Sequence, residues 1–421
     1  MNSASIIIVP LYFYISDSQS SFYKYALKAG KNFTENDAEF AHKAGVFLAK
    51  HSIVPTDRVG NDSKLAVKVW GIEFPNPIGL AAGFDKNAEC MNSMLSSGLG
   101  FGFVEIGSVT PLPQPGNPVP RVFRLSKDSA IINRYGFNSD GLDIVRNNLQ
   151  LYRANQKING KESEGLIGVN FGKNKDTEEA LDDYVSGVRA LSQFADYIVI
   201  NVSSPNTKGL RSLQGKEQLH HLLSGVKKAL QSTVDDMDYS SKSCSYYSAF
   251  RPPLLIKISP DMTDSELADV ASVALELEID GIIISNTTIG ERENLQETAL
   301  ANEVGGLSGK PLLNIANATL SRMYLLTNGQ IPIIGVGGVS NAADAYEKIK
   351  LGASLVQLYT ALVYEGPGLP ATIKRELLKL MRDDGYKSIE EAIGASHNLK
   401  KKESEFEEVK YDTDKSDTDK F

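Results

Sequence analysis

Eight short runs, each apolar at its centre and rich in β-formers, recur along most of this chain with helix-compatible stretches between them. They lie around Ile78 to Ala82, Phe103 to Ile106, Leu166 to Val169, Tyr197 to Asn201, Leu254 to Ile258, Gly281 to Ser285, Ile331 to Gly335 and Leu355 to Leu358. Strands without polar alternation are buried on both faces, as in a parallel sheet covered by helices, and the intervening segments are long enough for crossovers. Polar residues gather just past the C-terminal ends of the runs: Gly83-Phe-Asp-Lys86, Gly107-Ser-Val-Thr110, Asn170 to Lys175, Asn201 to Thr207, Lys257, Ser285-Asn-Thr-Thr288, Gly337-Gly338 and Tyr359-Thr360. A closed barrel builds its site from many such loops at that face. An open doubly wound sheet concentrates ligand groups at one switch point instead. The pattern therefore predicts an α/β fold, a (β/α)8 TIM barrel.

At 421 residues, 42% of them hydrophobic, the chain accommodates one such barrel with extras. The net charge of -8 is spread without a basic stripe, so nucleic acid is not an expected partner. Cys90 and Cys244 have no metal-ligand spacing, so no metal site is expected and redox chemistry would need a cofactor. His42, His51, His220, His221 and His397 all fall outside the strand-end loops, which argues against an imidazole base.

The apolar run Ile6 to Ile15 is too short to cross a hydrocarbon layer needing ~20 residues. No basic residue precedes Lys24, so residues 1–21 read as a truncated or atypical targeting or anchor segment. Two helices are expected between Phe22 and Lys50, with Phe22, Tyr25, Ala26 and Ala29 on one face and Phe40, Ala44, Phe47 and Leu48 on another. Thr34 to Asp37 would cap the second. This pair, assigned to residues 22–60, reads either as a hairpin packed on the domain or as a membrane-surface element. The barrel domain is placed at 61–396. Ser232 to Ala249 reads as a surface loop, and the charged tail, 397–421, has too little apolar content to fold.

Gly335-Val-Gly-Gly-Val339 and Tyr359-Thr360 follow the last two strands, where barrels commonly bind phosphate, although two ordinary tight turns would read the same. Gly305-Gly-Leu-Ser-Gly-Lys310 is followed by Pro311, which excludes a P-loop but leaves Gly306, Ser308 and Gly309 as candidate phosphate donors. Gly98-Leu-Gly-Phe-Gly102 precedes a strand and reads as a helix stop. Asn133, Asn138, Asn170, Asn174, Asn201, Asn206 and Asn286 converge on strand-end loops, which suits a planar ring of alternating N–H and C=O groups. Lys86 and Lys257 would balance an anionic substrate or a reduced cofactor, or else form buried salt bridges. Ser203-Ser204-Pro205 is the candidate base region; a serine abstracts a carbon-bound proton only if water is excluded and its own proton is relayed, for which Thr207 is the nearest partner.

Ten ordered blocks carry a family resemblance: Ala81 to Lys86, Glu105 to Pro111, Asn133 to Asn138, Asn170 to Lys175, Asn201 to Thr207, Lys257, Asn286 to Thr288, Gly305 to Leu312, Gly335 to Val339 and Leu358 to Thr360. Together they resemble the membrane-associated, quinone-reducing class of dihydroorotate dehydrogenases. The resemblance implies FMN held by Ala81, Ala82, Gly83, Lys86, Ser108, Asn133, Asn170, Asn201, Lys257, Ser285, Gly309, Gly338, Tyr359 and Thr360. Ser285 stands where the family often has threonine. Dihydroorotate, the substrate, and orotate, the product, would meet Lys86, Asn133, Arg134, Tyr135, Gly136, Phe137, Asn201, Asn206, Asn286 and Thr287. Ser204 would be the base, with Thr207 and Lys86 completing the catalytic set, and its being serine rather than cysteine implies ubiquinone as acceptor. The Phe22 to Lys50 pair becomes a quinone-tunnel hairpin resting on a membrane, with His42, Arg124 and Tyr359 lining the tunnel. The implied location is peripheral on the mitochondrial inner membrane, or on the cytoplasmic membrane of a bacterium. The rivals are a soluble FMN barrel acting on another substrate and a flavin-binding barrel without catalysis.

Overall fold

The computed structural model describes residues 14–23, 25, 37–95, 98–158, 165–235 and 251–397. Its elements run in chain order α1 (Ala38–Lys50), β1 (Val67–Val69), β2 (Ile72–Phe74), β3 (Ile78–Leu80), α2 (Met91–Met94), β4 (Phe103–Val109), β5 (Val122–Leu125), β6 (Ala130–Asn133), α3 (Leu142–Ile158), β7 (Leu166–Phe171), α4 (Ala180–Leu191) and β8 (Tyr197–Asn201). Then come α5 (Lys216–Asp235), β9 (Leu254–Ile258), α6 (Asp264–Glu276), β10 (Gly281–Ile284), α7 (Thr298–Ala301), β11 (Gly306–Gly309), α8 (Leu313–Leu326), β12 (Ile333–Val336), α9 (Ala342–Lys350), β13 (Ala353–Leu358), α10 (Thr360–Glu365) and α11 (Leu369–Asp383).

Strands β3, β4, β7, β8, β9, β10, β12 and β13 close into a barrel, every neighbouring pair parallel. These are the eight apolar runs, and their Ile, Val and Leu side chains are buried because helices cover the outer face. Local chemistry starts the helices where the chain leaves a loop. Thr263 and Glu266 form a reciprocal capping box on α6, Asn341 caps α9, and Asp37 accepts the Phe40 amide to cap α1.

Two antiparallel additions close the ends. The β1–β2 hairpin turns at Trp70 and Gly71 and sits under the N-terminal mouth, with Phe74 5.3 Å from the Phe103 ring and the Trp70 indole donating to the Asp280 carbonyl at 2.6 Å. At the other mouth β5, β6 and β11 form a three-stranded sheet. Neither was read from the sequence, and the Gly305 to Lys310 run, expected as a loop, is mostly β11.

Three further expectations are revised. Lys257 lies inside β9 rather than beyond it, pointing its side chain into the barrel core. Ser232 to Asp235 continue α5 rather than opening a loop; the remainder of that stretch lies outside the described residues. Of the expected helix pair, α1 is present and Phe22 and Tyr23 are helical, while Ala26 and Ala29 lie outside the described residues, as does the tail beyond His397.

Candidate active site

A cavity of about 700 Å³ opens at the C-terminal ends of the barrel strands and extends outward along α1. That volume is in the range of small-molecule and cofactor sites. Its floor is polar because the innermost side chains of several strands are amides and ions rather than aliphatics. Glu105 on β4, fully buried, accepts from Asn170 Nδ2 and Gln357 Nε2, each at 2.8 Å, and from the Tyr197 hydroxyl at 3.4 Å. Lys257 Nζ lies 3.6 Å from the same carboxylate. Above it, Asn201 Nδ2 donates to Ser108 Oγ at 3.0 Å and to Asn170 Oδ1 at 3.2 Å, while Ser108 donates to Asn170. Asn286 Nδ2 completes the layer by donating to Asn201 Oδ1 at 3.2 Å and Ser203 Oγ at 3.0 Å.

One wall is backbone. Gly309 and Gly338 both hold positive φ, and a Cβ on either would collide with the main chain of Ser129 or of Leu313 at 2.3–2.4 Å. Only glycine lets these loops close against Leu313 and Thr360, the first residues of α8 and α10, which is how a barrel shapes a phosphate cradle. Thr360 Oγ1 donates to Ser308 Oγ at 2.9 Å, tying β13's exit to β11.

The opposite wall holds Ser204 and Lys86. Ser204 is buried and its Oγ accepts the Asn206 amide at 3.3 Å; Asn206 Nδ2 reaches Asn133 Oδ1 at 3.3 Å. Lys86 Nζ donates to the Gly83 carbonyl and lies 4.3 Å above the Tyr135 ring. Burial lowers its ammonium to about 8, Arg121 adding to the fall and Glu39 opposing it. Arg211 braces this wall by donating to the Ser203 and Thr287 carbonyls, each at 3.1 Å, and to Asp261 Oδ2 at 2.8 Å.

Outward, α1 contributes Ala41, His42, Ala44, Gly45 and Leu48 to the lining. His42 Nδ1 is 3.0 Å from the Tyr359 hydroxyl, and burial drives its imidazole down to about 3, so it is neutral at physiological pH. Glu39 on the same helix forms a bidentate pair with Arg121 at 2.8 and 2.9 Å, a contact that holds its carboxyl down at about 2. Phe40, Phe47 and Leu48, expected on one helix face with Ala44, are 60%, 59% and 43% exposed respectively.

Of the residues expected at the site, the cavity is lined by Ala81, Ala82, Gly83, Lys86, Ser108, Asn133, Tyr135, Gly136, Phe137, Asn201, Ser204, Asn206, Lys257, Ser285, Asn286, Thr287, Gly309, Gly338, Tyr359 and Thr360, with His42 and Arg124 farther out. Asn170 stands behind Ser108 and Asn201. Arg134 is drawn away: its guanidinium is committed to Glu303 at 2.6 Å, to the Val304 and Pro120 carbonyls, and to the Phe123 ring. Asn174 pins Leu112 and Gln114 instead of facing the cavity. Thr207 Oγ1 is buried without a hydrogen-bond partner among the described residues, so no direct bond joins it to Ser204. Glu105, Arg211, Asp261, Arg121 and Glu39 were not anticipated, since each acts through a partner distant in sequence. A charge inside an otherwise apolar strand run was the available signal for Glu105.

The donor set fits a flat heterocycle with a phosphate tail: glycine backbone at one end, amides and a lysine in the middle, and cavity-lining Tyr135 and Asn138 each with a buried oxygen lacking a partner among the described residues. The dihydroorotate dehydrogenase family model matches residues 64–381. The chain is 51% identical to the mitochondrial dihydroorotate dehydrogenase (quinone) of Oryza sativa subsp. japonica over 85% of its length and 77% of the relative's. It is also 51% identical to that of Mus musculus, covering 86% and 87% of the two chains. A crystal structure of the Eimeria tenella enzyme in complex with ferulenol superposes with a TM-score of 0.80 at 44% identity, covering 86% of this chain and 96% of that one.

Proposed function

This chain belongs to the dihydroorotate dehydrogenase family, and from that premise we propose that it oxidises dihydroorotate to orotate with FMN as resident cofactor and a quinone, ubiquinone by the resemblance, as electron acceptor. The observation that carries the reading is the convergence of Ser204, Lys86 and the linked asparagines on one cavity whose outer wall is α1. FMN, when bound, supplies the hydride acceptor for C6 of the substrate and the donor for the quinone. Gly309, Gly338 and Thr360 would hold its phosphate, and Ala81, Ala82, Gly83, Ser108, Asn201, Lys257 and Ser285 its ring system, with Asn170 orienting Ser108 and Asn201 from behind.

Ser204 Oγ takes the proton from C5. Its burial supports the role, because a serine works as a base only where water is kept out. Passing that proton to Thr207, whose hydroxyl has no partner among the described residues and no direct bond to Ser204, would take a bridging water. Lys86 sets its ammonium against the substrate carboxylate, and Asn133, Asn206, Asn286 and Thr287 read the ring edges. His42, Arg124 and Tyr359 line the way in for the quinone.

Among the described residues no helix is long and apolar enough to cross a membrane. The exposed apolar side chains of α1 instead support peripheral attachment, at the mitochondrial inner membrane as the plant and mouse relatives' names suggest or at the cytoplasmic membrane if the source is bacterial.

Rapid anaerobic mixing tests the whole scheme. Dihydroorotate is expected to bleach the flavin absorbance and a ubiquinone analogue to restore it, with fumarate and NAD ineffective. Ser204→Ala is expected to keep the flavin and slow bleaching ~100 to 10,000-fold at neutral pH. A colourless protein, or reoxidation by fumarate and not by quinone, overturns the reading.

A further inference from the structure

Within the barrel, one buried carboxylate faces four donors and, among the described residues, no acceptor. Glu105 is fully buried on β4, and the groups around it come from β7, β8, β9 and β13: Asn170 Nδ2 and Gln357 Nε2 at 2.8 Å, Tyr197 OH at 3.4 Å and Lys257 Nζ at 3.6 Å. A carboxylate only accepts, whereas an amide presents a donor at one end and an acceptor at the other. Asn170 must therefore turn its NH2 toward Glu105, which leaves its Oδ1 facing the cavity side.

That orientation propagates. Asn170 Oδ1 accepts from Ser108 and, at 3.2 Å, from Asn201 Nδ2. With its NH2 so committed, Asn201 turns Oδ1 the other way, where it accepts from Ser203 N at 3.3 Å, Ser203 Oγ at 3.0 Å and Asn286 Nδ2 at 3.2 Å. Asn286 Oδ1 in turn accepts the Thr287 amide at 2.8 Å. Asn201, Asn286 and Thr287 line the cavity. Flipping Asn170 or Asn201 would set NH2 against NH2 at the next link, and flipping Asn286 would set oxygen against oxygen at Asn201 and NH2 against the Thr287 amide, so the three orientations are coupled.

We propose that Glu105 is a positioning residue that fixes the hydrogen-bond polarity of the Asn170–Asn201–Asn286 relay, and thereby which pattern of ring donors and acceptors the site accepts. The inference rests on the reading of the cavity as a dihydroorotate site. Glu105 touches no ligand itself; its effect reaches the ring through two or three amides. A glutamine in its place, isosteric but able to donate, removes the constraint on Asn170 and lets that amide flip against Asn201, whose own orientation is then held only by the donating backbone amides of Ser203 and, through Asn286, of Thr287. Adding N170D to E105Q imposes the original polarity again, because the new carboxylate can only accept, from the glutamine on one side and from Ser108 and Asn201 on the other.

The test is equilibrium binding of orotate to the flavin-loaded protein, followed by the perturbation of the flavin spectrum, with thermal melts recorded alongside. E105Q is expected to fold and to bind orotate about tenfold or more weakly than the parent. N170D alone, which sets two carboxylates face to face, is expected to bind poorly too. The double variant E105Q/N170D is expected to recover most of the affinity that E105Q loses, whereas E105Q/K257M at equal flavin content, which relieves the unpaired Lys257 but leaves Asn170 unconstrained, is not; a merely structural, charge-balancing role for Glu105 would restore both. Unaltered affinity in E105Q, an E105Q/N170D variant no better than E105Q, or equal recovery in the two double variants overturns the inference and leaves the functional reading intact. A flavin-loaded parent that binds no orotate overturns both.

Discussion

Lys86 illustrates how a single side chain can be tuned by where the fold puts it. Buried beside Tyr135, with Arg121 beyond, it has lost enough hydration that its ammonium titrates near 8 instead of the usual range for lysine. The charged form prevails below that pH and the neutral form above it. A carboxylate ligand needs the charged form, so its binding takes up a proton once the solution passes about 8, and affinity is expected to fall about tenfold per pH unit from there upward. Orotate titrations between about pH 6.5 and 9.5, spanning that range, check this, and Lys86→Met should bind weakly at every pH with no such slope. A parent whose affinity stays level throughout would remove Lys86 as the carboxylate's partner. Residues of this kind were legible in sequence because they follow the ends of apolar runs. Glu105 was not, because it sits within one, and Arg121–Glu39 and Arg211–Asp261 were not, because each pair joins segments that only the fold brings together.

At the scale of elements, the eight barrel strands were readable because burial on both faces imposes a mostly apolar composition, interrupted where residues such as Glu105, Asn170, Lys257 and Gln357 turn into the barrel. The antiparallel strands were harder for a physical reason. Gly306-Leu-Ser-Gly309 has no intrinsic strand preference and becomes β11 only by pairing with β6, a tertiary effect. Val67-Lys-Val69 and Ile72-Glu-Phe74 do alternate buried and exposed positions around the Trp70–Gly71 turn, a short-range signal that three-residue strands make faint. Helix α1 is joined to the rest through the buried Glu39–Arg121 pair and presents two faces: Phe40 and Phe47 stand open on one side, and His42, Ala44 and Leu48 line the cavity on the other. A chain beginning at Ile53 removes the helix and keeps the residues after it that anchor to the barrel. It is expected to retain flavin reduction by dihydroorotate, since Ser204, Lys86 and the asparagines are all on the barrel, and to lose most reoxidation by quinone. Both half-reactions are read from the same flavin absorbance, and equal loss in the two would make α1 a structural brace instead.

The whole molecule divides into a face for chemistry and a face for stability, as barrels do. The clearest brace on the second face is the Lys374–Asp57 pair, both side chains 1% exposed and 2.5 Å apart. Lys374 is on α11, near the end of the fold, and also reaches Asn61 Oδ1 at 3.1 Å, which in turn accepts from Asn76 Nδ2 at 2.8 Å just before β3. The pair thus locks the segment leaving α1 to the last long helix and to the first barrel strand. Burial lowers the Lys374 ammonium and Asp57 opposes that fall, so the charge persists in the interior only through its partner. Removing one member of such a pair costs about 3–5 kcal/mol, which for a chain of this size lowers Tm by about 3–6 °C. Asp57→Asn is therefore expected to melt below the parent, while D57N/K374M, which removes the stranded charge, recovers much of the loss. Neither residue lines the cavity, so orotate affinity measured below the transition is expected to be unchanged in both variants. A D57N variant with the parent's Tm would show that the segment leaving α1 is held by its other contacts, and one that melts normally but binds orotate poorly would show that the two faces are coupled through the barrel.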